Sequence, residues 1–391
     1  MLKITVEKAG FARAMGFAAQ IVQAKSTIPI LTSAKIEADG DALRISTTDM
    51  DQFVTVSVPA QCRRSGTITV PAKQLAQIVA TLADGAQIEF DHNDGSTTVK
   101  SGRSQWELPS YDPADFPEIK AANGSTMSLP GAALIDVFGR IGFAMSTDAT
   151  KFHLNGIHLG AQSDVVRACA TNGLQLARVI LADAEVAKVI GGFERGIIIP
   201  RESIPAMRKI AAEAGIVSIM ASGTLLTMTA DDVVYTTKLV DGTFPDYDRI
   251  IPQASAVSAT VDRAALAVAI KRVSLAAEER TRCARFSFSS HGIRLETANA
   301  VTGSSATEDV EAEISGELVT GFNTEQLAGI IGAIGDCKSV CFQMGKPMDP
   351  VVIHSSDDLQ GCKANRLFLL APLHVRPPTT DTPKTIGKPN P

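Results

Sequence analysis

The opening stretch KITVEKAGFARAMGFAAQIV, Lys3–Val22, decides the fold because it occurs three times in different dress. Ile4 and Val6 alternate as in a short strand, and Phe11, Met15, Ala18 and Val22 then recur at helical spacing. Met127 and Leu129 followed by Leu134, Phe138 and Ile141 repeat the pattern. Ala259 and Val261 followed by Leu266, Ile270 and Val273 repeat it again. In each copy the first bulky helix residue stands five positions after the last strand residue, so one buried face is marked out each time. Repeats of this length mean tandem domains, and they take precedence over any single motif.

A second strand–helix unit recurs behind the first. GTITVPAKQLAQIVATL begins at Gly66, RGIIIPRESIPAMRKIAA at Arg195 and LVTGFNTEQLAGIIGAI at Leu318. Pro71 and Pro200 stand where strand gives way to helix, and Asn323 holds that place in the third copy as a good N-cap. Alternating, β-branched segments lie between the helical units, at Leu43–Val58, Val165–Leu181 and Ile293–Val310. Further strands are predicted at Gln87–Leu108, Val217–Leu239 and Ser339–Ser355. Each repeat reads as an α+β domain of about 120 residues. The small, polar stretches Ala121–Ser125 and Gln253–Val257 set domains at 1–124, 125–254 and 255–375. Residues 376–391, rich in Pro and Thr, read as a disordered tail. Copies of one fold pack by one repeated contact, and such a contact generates an arc that can close into a ring.

Composition excludes several classes. The 391 residues are 45% hydrophobic and 20% charged, as in a globular protein, and the net charge is −5. That balance argues against holding nucleic acid by bulk attraction, although a local basic surface can sit in an acidic envelope. No apolar run reaches the roughly 18–20 residues of a membrane span, and the first residues lack a signal-peptide core, so a cytoplasmic protein is expected. Six cysteines are too sparse for a disulfide scaffold, and Cys337 and Cys341 read as small buried residues rather than metal ligands.

The search for chemistry returns no catalytic motif. The glycines of GAIGDCKS, Gly332–Ser339, have the wrong spacing for a phosphate loop. His153 and His158 stand five apart in a strand-like segment and point to opposite faces. The acidic pairs Asp231/Asp232, Asp246/Asp248 and Asp357/Asp358 lie in turn-like sequence and read as solvated turn acids. They carry the alternative reading, a metal-dependent enzyme acting on DNA or nucleotides. No metal or cofactor is expected. Basic residues recur on the predicted helices at Arg13, Lys73, Arg140, Arg201, Arg208, Lys209, Lys271 and Arg272. On Asp262–Ala277 the stripe Leu266, Ile270, Val273 and Ala277 leaves Lys271 and Arg272 outside, available to phosphates.

Several segments resemble the beta subunits of bacterial DNA polymerase III, the sliding-clamp family. They are Thr27-Ile-Pro29-Ile-Leu31, Ser101-Gly-Arg103-Ser104, Ala114-Asp-Phe-Pro117, Leu154-Asn-Gly156 and Ala170-Thr-Asn-Gly173-Leu-Gln-Leu176-Ala. Lys238-Leu-Val-Asp-Gly-Thr-Phe244-Pro-Asp-Tyr247, Gly321-Phe-Asn323 and Leu369-Leu-Ala-Pro372-Leu follow in family order. The resemblance implies a non-catalytic, head-to-tail homodimer of three clamp domains per chain. In such a six-domain ring helices line the hole and antiparallel sheets form the outside. The ring passes duplex DNA without sequence preference, is opened by a clamp loader, and tethers DNA polymerase III and other peptide-bearing partners.

It also implies site residues. A partner-peptide cleft between the second and third domains would use Leu154, Thr171, Gly173, Leu174, Gln175, Leu176, Pro245, Arg249, Ile250, Asn323, Leu369, Leu370, Pro372 and Leu373. DNA contact would fall on Lys25, Phe152 and His153, supported by Arg208, Lys209, Lys271 and Arg272. The dimer seam would set Trp106 and Leu108 against Leu275 and Ala276. Leu367–Val375 contains Pro372, which cannot donate a ladder bond, so this strand is expected at a sheet edge. The family commonly has His-Arg where Leu174-Gln175 stand, so the cleft should be less basic at one end.

Overall fold

The computed structural model describes residues 2–23, 25–93, 95–358 and 365–375. The tail expected at 376–391 lies outside the described residues. The chain divides into two compact units, Met1–Ala168 with Leu181–Phe244, and Cys169–Ile180 with the chain from Pro245 onward.

The recurrent strand–helix pattern is realised in all three copies. Lys3–Glu7 leads into helix α1 (Lys8–Ile21), Thr126–Pro130 into α3 (Gly131–Ile141) and Val257–Asp262 into α6 (Arg263–Ser274). The residues predicted to face the core do so: Phe11, Met15, Leu134, Phe138, Leu266 and Ile270 are all 5% exposed or less. The starts of α1 and α6 are held by acidic caps. Glu7 accepts from the Ala9 and Gly10 amides, and Asp262 accepts from the Ala265 amide at 2.8 Å. Helix α3 begins on a glycine for a different reason: a Cβ at Gly131 would run into the Ala211 and Ala214 carbonyls.

The second strand–helix units are Gly66–Pro71 with α2 (Ala72–Thr81), Ile197–Pro200 with α5 (Ile204–Glu213) and Leu318–Asn323 with α7 (Thr324–Ala333). Asn323 caps α7 as expected, its Oδ1 accepting from Glu325 and Gln326. In each repeat the two helices pack on one another: α1 on α2, α3 on α5, α6 on α7. Helix α4 (Ala184–Gly191) lies outside the repeat pattern read from the sequence; Asp183 caps it, and Val186, Ala187 and Ile190 are its buried face.

In the first unit twelve strands form one antiparallel sheet. It is continuous across the first two repeats because Val233–Thr237 pairs with Gln52–Val56, Thr237 facing Gln52. Arg13 fastens the same junction, bonding Glu213 and Asp232 at 2.6 Å each. In the second unit Gln175–Val179 pairs with Arg366–Leu370, Gln175 facing Leu370. A separate four-stranded sheet there runs Ser305–Val310, Gly292–Ala298, Cys283–Ser289, Leu318–Asn323.

The C-terminal strand departs from expectation. It spans Arg366–Leu370 and pairs on both sides, with Gln175–Val179 and with Val351–Ile353. It is therefore interior to its sheet. Leu367, Phe368, Leu369 and Leu370 are each 3% exposed or less, so both faces are covered. Pro372 lies beyond the strand, where no ladder bond is required of it. A second difference concerns His153, which sits in the 3₁₀ turn Ala149–Leu154 and not in a strand. His158 is in the strand Gly156–Gln162, its ring stacked on Phe244 at 4.7 Å and its Nε2 3.0 Å from the Arg195 carbonyl.

Candidate partner and nucleic-acid surfaces

Thr171, Gly173, Leu174, Gln175 and Leu176 lie on or beside a loop that the alternation of Val165–Leu181 reads as continuous strand. Between Val165–Thr171 and Gln175–Leu181 the chain turns through Asn172, Gly173 and Leu174. Asn172 Oδ1 accepts from the Leu174 and Gln175 amides at 2.9 and 3.0 Å. Thr171 Oγ1 accepts from the Gly173 amide and donates to the Gln175 carbonyl. Gly173 has φ +90°, a conformation that L side chains resist. This is a side-chain-built turn, and its product is an exposed tip: Leu174 is 55% exposed. Asn172 is the structural residue that sequence reasoning missed, and its signal was the Thr-Asn-Gly tripeptide.

The chain after the C-terminal strand is laid against this tip. The Ala371 amide donates to the Leu174 carbonyl at 2.8 Å, and the Leu373 amide donates to the Gly321 carbonyl at 2.7 Å. Leu373 thereby joins the strand that ends at Asn323. It lines a cavity of about 310 Å³ together with Val319, Thr320, Pro347 and Met348, of which Met348 is 55% exposed. Asn323 Nδ2 donates to the Thr281 carbonyl while Oδ1 caps α7, so both ends of this amide are held within the fold.

Pro245 opens the segment that carries the 3₁₀ turn Tyr247–Ile250, with Ile250 52% exposed and Arg249 paired to Asp246 at 2.8 Å. Beneath it, complete burial holds the Cys169 thiol well above its ordinary range, with Arg178 opposing and Asp248 adding to the shift.

Burial sorts the candidates. Gly173, Leu174, Pro245, Arg249 and Ile250 are exposed, and Asn323, Pro372 and Leu373 are half-buried. Thr171, Gln175, Leu176, Leu369 and Leu370 are buried. Leu154, in the other unit, is also buried, at the end of its 3₁₀ turn.

Of the DNA candidates, Lys25, Arg208 and Lys271 are exposed. Phe152 is 54% exposed and meets His153 edge-on at 5.6 Å. Lys209 is partly engaged within the fold: its Nζ sits 4.3 Å over the Phe17 ring, and burial lowers its pKa, Glu213 opposing. Arg272 is 3.5 Å from Glu308. Among the helix cations read as a shared surface, Arg13 and Arg140 are engaged in ion pairs.

The seam candidates divide in the same way. Trp106 is half-buried on Ser104–Pro109, and Leu275 is 84% exposed just past α6, with Ala276 half-buried beside it. Leu108 is 1% exposed. Two residues on from Trp106, it shares the same sheet face but is buried. Its side chain is buried within its own chain, on a strand that stands at an end of its sheet.

The acidic pairs have structural work. Asp232 takes Arg13, Asp246 takes Arg249, Asp358 takes Arg366, and Asp231 occupies a turn at φ +49°. Among the described residues no group of three His, Cys, Asp or Glu is placed to hold a metal ion, and no helix is long and apolar enough to cross a membrane.

Three family models match in succession: the DNA polymerase III beta subunit N-terminal domain over residues 2–120, its central domain over 128–246 and its C-terminal domain over 248–364. The beta sliding clamp of Caulobacter vibrioides is 32% identical over 384 residues, covering 96% of this chain and all of that one. That of Pseudomonas aeruginosa is 28% identical over 91% of this chain and 97% of its own. A crystal structure of the Caulobacter crescentus clamp matches with TM-score 0.89 at 30% identity, covering 96% of this chain and 100% of that one. A Pseudomonas aeruginosa clamp bound to griselimycin matches with TM-score 0.88 at 26% identity and the same coverage. Three tandem clamp domains, matched in order along the chain, make this protein a DNA sliding clamp of the DNA polymerase III beta subunit family.

Proposed function

We propose that the chain acts as a closed head-to-tail dimer, a six-domain ring around duplex DNA that tethers DNA polymerase III without catalysing a reaction. The observation that carries this reading is the repeated strand junction. Gln52–Val56 of repeat one takes Val233–Thr237 of repeat two, and Gln175–Val179 of repeat two takes Arg366–Leu370 of repeat three, antiparallel both times. Ser305–Val310 is the corresponding strand of repeat three, and Ser104–Pro109 is the last strand of repeat one. Among the described residues each stands at a free end of its sheet. Unpaired edges are liabilities that proteins cover, and each of these has the partner-type edge at the opposite end of the chain. A second copy, joined head to tail, satisfies both at once.

A ring also answers the charge question. Retention by topology requires no strong attraction, so a chain of net charge −5 can serve DNA. Lys25, Phe152, His153, Arg208, Lys209, Lys271 and Arg272 then supply a weak, sequence-blind contact with phosphates. Partner peptides dock at the tip loop, with Leu174, Ile250, Pro245, Leu373 and Asn323 offering the accessible surface. A tethered polymerase stays at high effective concentration near the primer end. The work is cytoplasmic, and a clamp loader must open the seam. Native mass spectrometry at micromolar concentration tests the assembly: a dimer at twice 41.2 kDa is expected, and a monomer refutes the closed ring.

A further inference from the structure

The tip loop occurs three times. In repeat one Asp49 Oδ1 accepts from the Asp51 and Gln52 amides at 3.0 and 2.7 Å, and Thr48 Oγ1 accepts from the Met50 amide. Met50 has φ +81°, matching Gly173 at +90°. In repeat three Asn299 Oδ1 accepts from the Val301 and Thr302 amides at 3.0 and 3.2 Å. Asp51, Leu174 and Val301 are therefore equivalent tips. The chain crossing the tip is equivalent as well: the Lys238 amide donates to the Asp51 carbonyl at 2.9 Å, as the Ala371 amide does to the Leu174 carbonyl at 2.8 Å.

One backbone frame thus stands at both internal junctions, with different side chains on it. At the second, the tip is an exposed leucine and the crossing residue is alanine. At the first, the tip is Asp51 and the crossing residue is Lys238, with Nζ and Oδ1 3.0 Å apart. A cavity of about 180 Å³ lies against Phe53 and Pro117, the counterparts of Leu176 and Pro245, and charged walls at Lys35, Glu37 and Glu118 surround it. An apolar peptide side chain laid on this tip would have to strip water from the Asp51–Lys238 pair, and one entering the cavity would have to strip it from those charges, without returning hydrogen bonds.

We propose that the Asp51–Lys238 pair is the specificity-determining element that confines peptide docking to one junction per chain. This rests on the tip-loop docking reading above. The pair is exposed, so it excludes by the cost of covering charge and not by its own strength.

Two swaps test it, with a labelled peptide from the clamp-binding segment of the replicative polymerase as probe and calorimetric stoichiometry as readout. Leu174→Asp with Ala371→Lys carries the pair to the second junction and should weaken binding at least tenfold beyond the loss that Leu174→Ala causes by itself. Asp51→Leu with Lys238→Ala removes it from the first and should raise the stoichiometry from one peptide per chain to two. Native mass and amide exchange establish that both variants keep the dimer and the fold; a variant that does not is replaced by its single substitutions, Leu174→Asp or Asp51→Leu, judged by the same criteria. An affinity in the first swap no weaker than that of Leu174→Ala, or a stoichiometry still at one in the second, overturns the proposal. No binding by the wild-type chain instead overturns the docking reading beneath it.

Discussion

Leu370 and Leu174 both belong to the expected peptide site, and truncating them should have opposite consequences. Leu370 is fully buried in a strand paired on both sides, whereas Leu174 is 55% exposed on a turn held by Asn172. Leu370→Ala removes a packed isobutyl group and leaves a cavity, a change that costs about 2–5 kcal/mol. Against a domain stability of about 5–15 kcal/mol this is a large fraction. The unfolding midpoint of the third repeat should fall by at least about 6 °C. Leu174→Ala leaves the core untouched and should stay within about 0.5 kcal/mol of wild type. It should nevertheless weaken peptide binding by about tenfold, or 1.4 kcal/mol.

Amide exchange resolved by segment is the appropriate assay. Trp106 is the only tryptophan and lies in the first repeat, so its fluorescence is blind to the third. Faster exchange across Arg366–Leu370 and its neighbours is expected for Leu370→Ala alone. Wild-type protection in Leu370→Ala with selective loss of peptide binding would refute the placement of this strand in the core. The same reasoning predicts that deletion from Leu369 onward unfolds the third repeat, and does not merely remove a wall of the groove.

Trp106→Ala combined with Leu275→Ala should dissociate the dimer at micromolar concentration in sedimentation; an intact dimer would place the seam elsewhere. Binding to linear duplexes should fall steeply with salt and ignore sequence. Alanine at Lys271 and Arg208 should flatten the log–log salt slope by about 0.9 for each phosphate no longer neutralised, more than alanine at Arg272, which Glu308 already engages. Burial holds the pKa of His158 below its ordinary 6.5, the bond to the Arg195 carbonyl opposing. The unfolded chain therefore binds the proton more readily, and stability contributed by neutral His158 is present above about pH 6.5 and lost as the pH falls below it. The drop in unfolding midpoint between about pH 7.5 and about pH 5.5 should shrink in His158→Phe, which keeps the stack on Phe244; an identical drop would assign the pH dependence to other groups.

The repeats were legible because their signal is periodic and written in large apolar residues. Phe11, Leu134 and Leu266 fill equivalent core positions, and no local choice contradicts them. The tip loops were not legible as breaks, because Thr-Asn-Gly and Thr-Asp-Met sit inside runs whose alternation reads straight through them. Their turns are made by Asn172 and Asp49 side chains bonding amides two and three residues on, a device that leaves no periodic trace. Pro372 misled for a related reason. It forbids a ladder bond only at its own position, and the strand ends two residues earlier. The resemblance named candidate residues but could not sort buried from exposed. Leu108 and Leu370 became core residues only once strand phase and pairing were known.

Topological retention is the central claim, and one measurement addresses it directly. The protein is loaded by a clamp loader onto nicked circular DNA and freed of unbound chain by gel filtration. The DNA is then cut once with a restriction enzyme, at constant salt. Stable retention on the circle and rapid loss after the cut is the predicted result. Equal retention before and after cutting would show that the chain holds DNA by contact alone, and would contradict the ring.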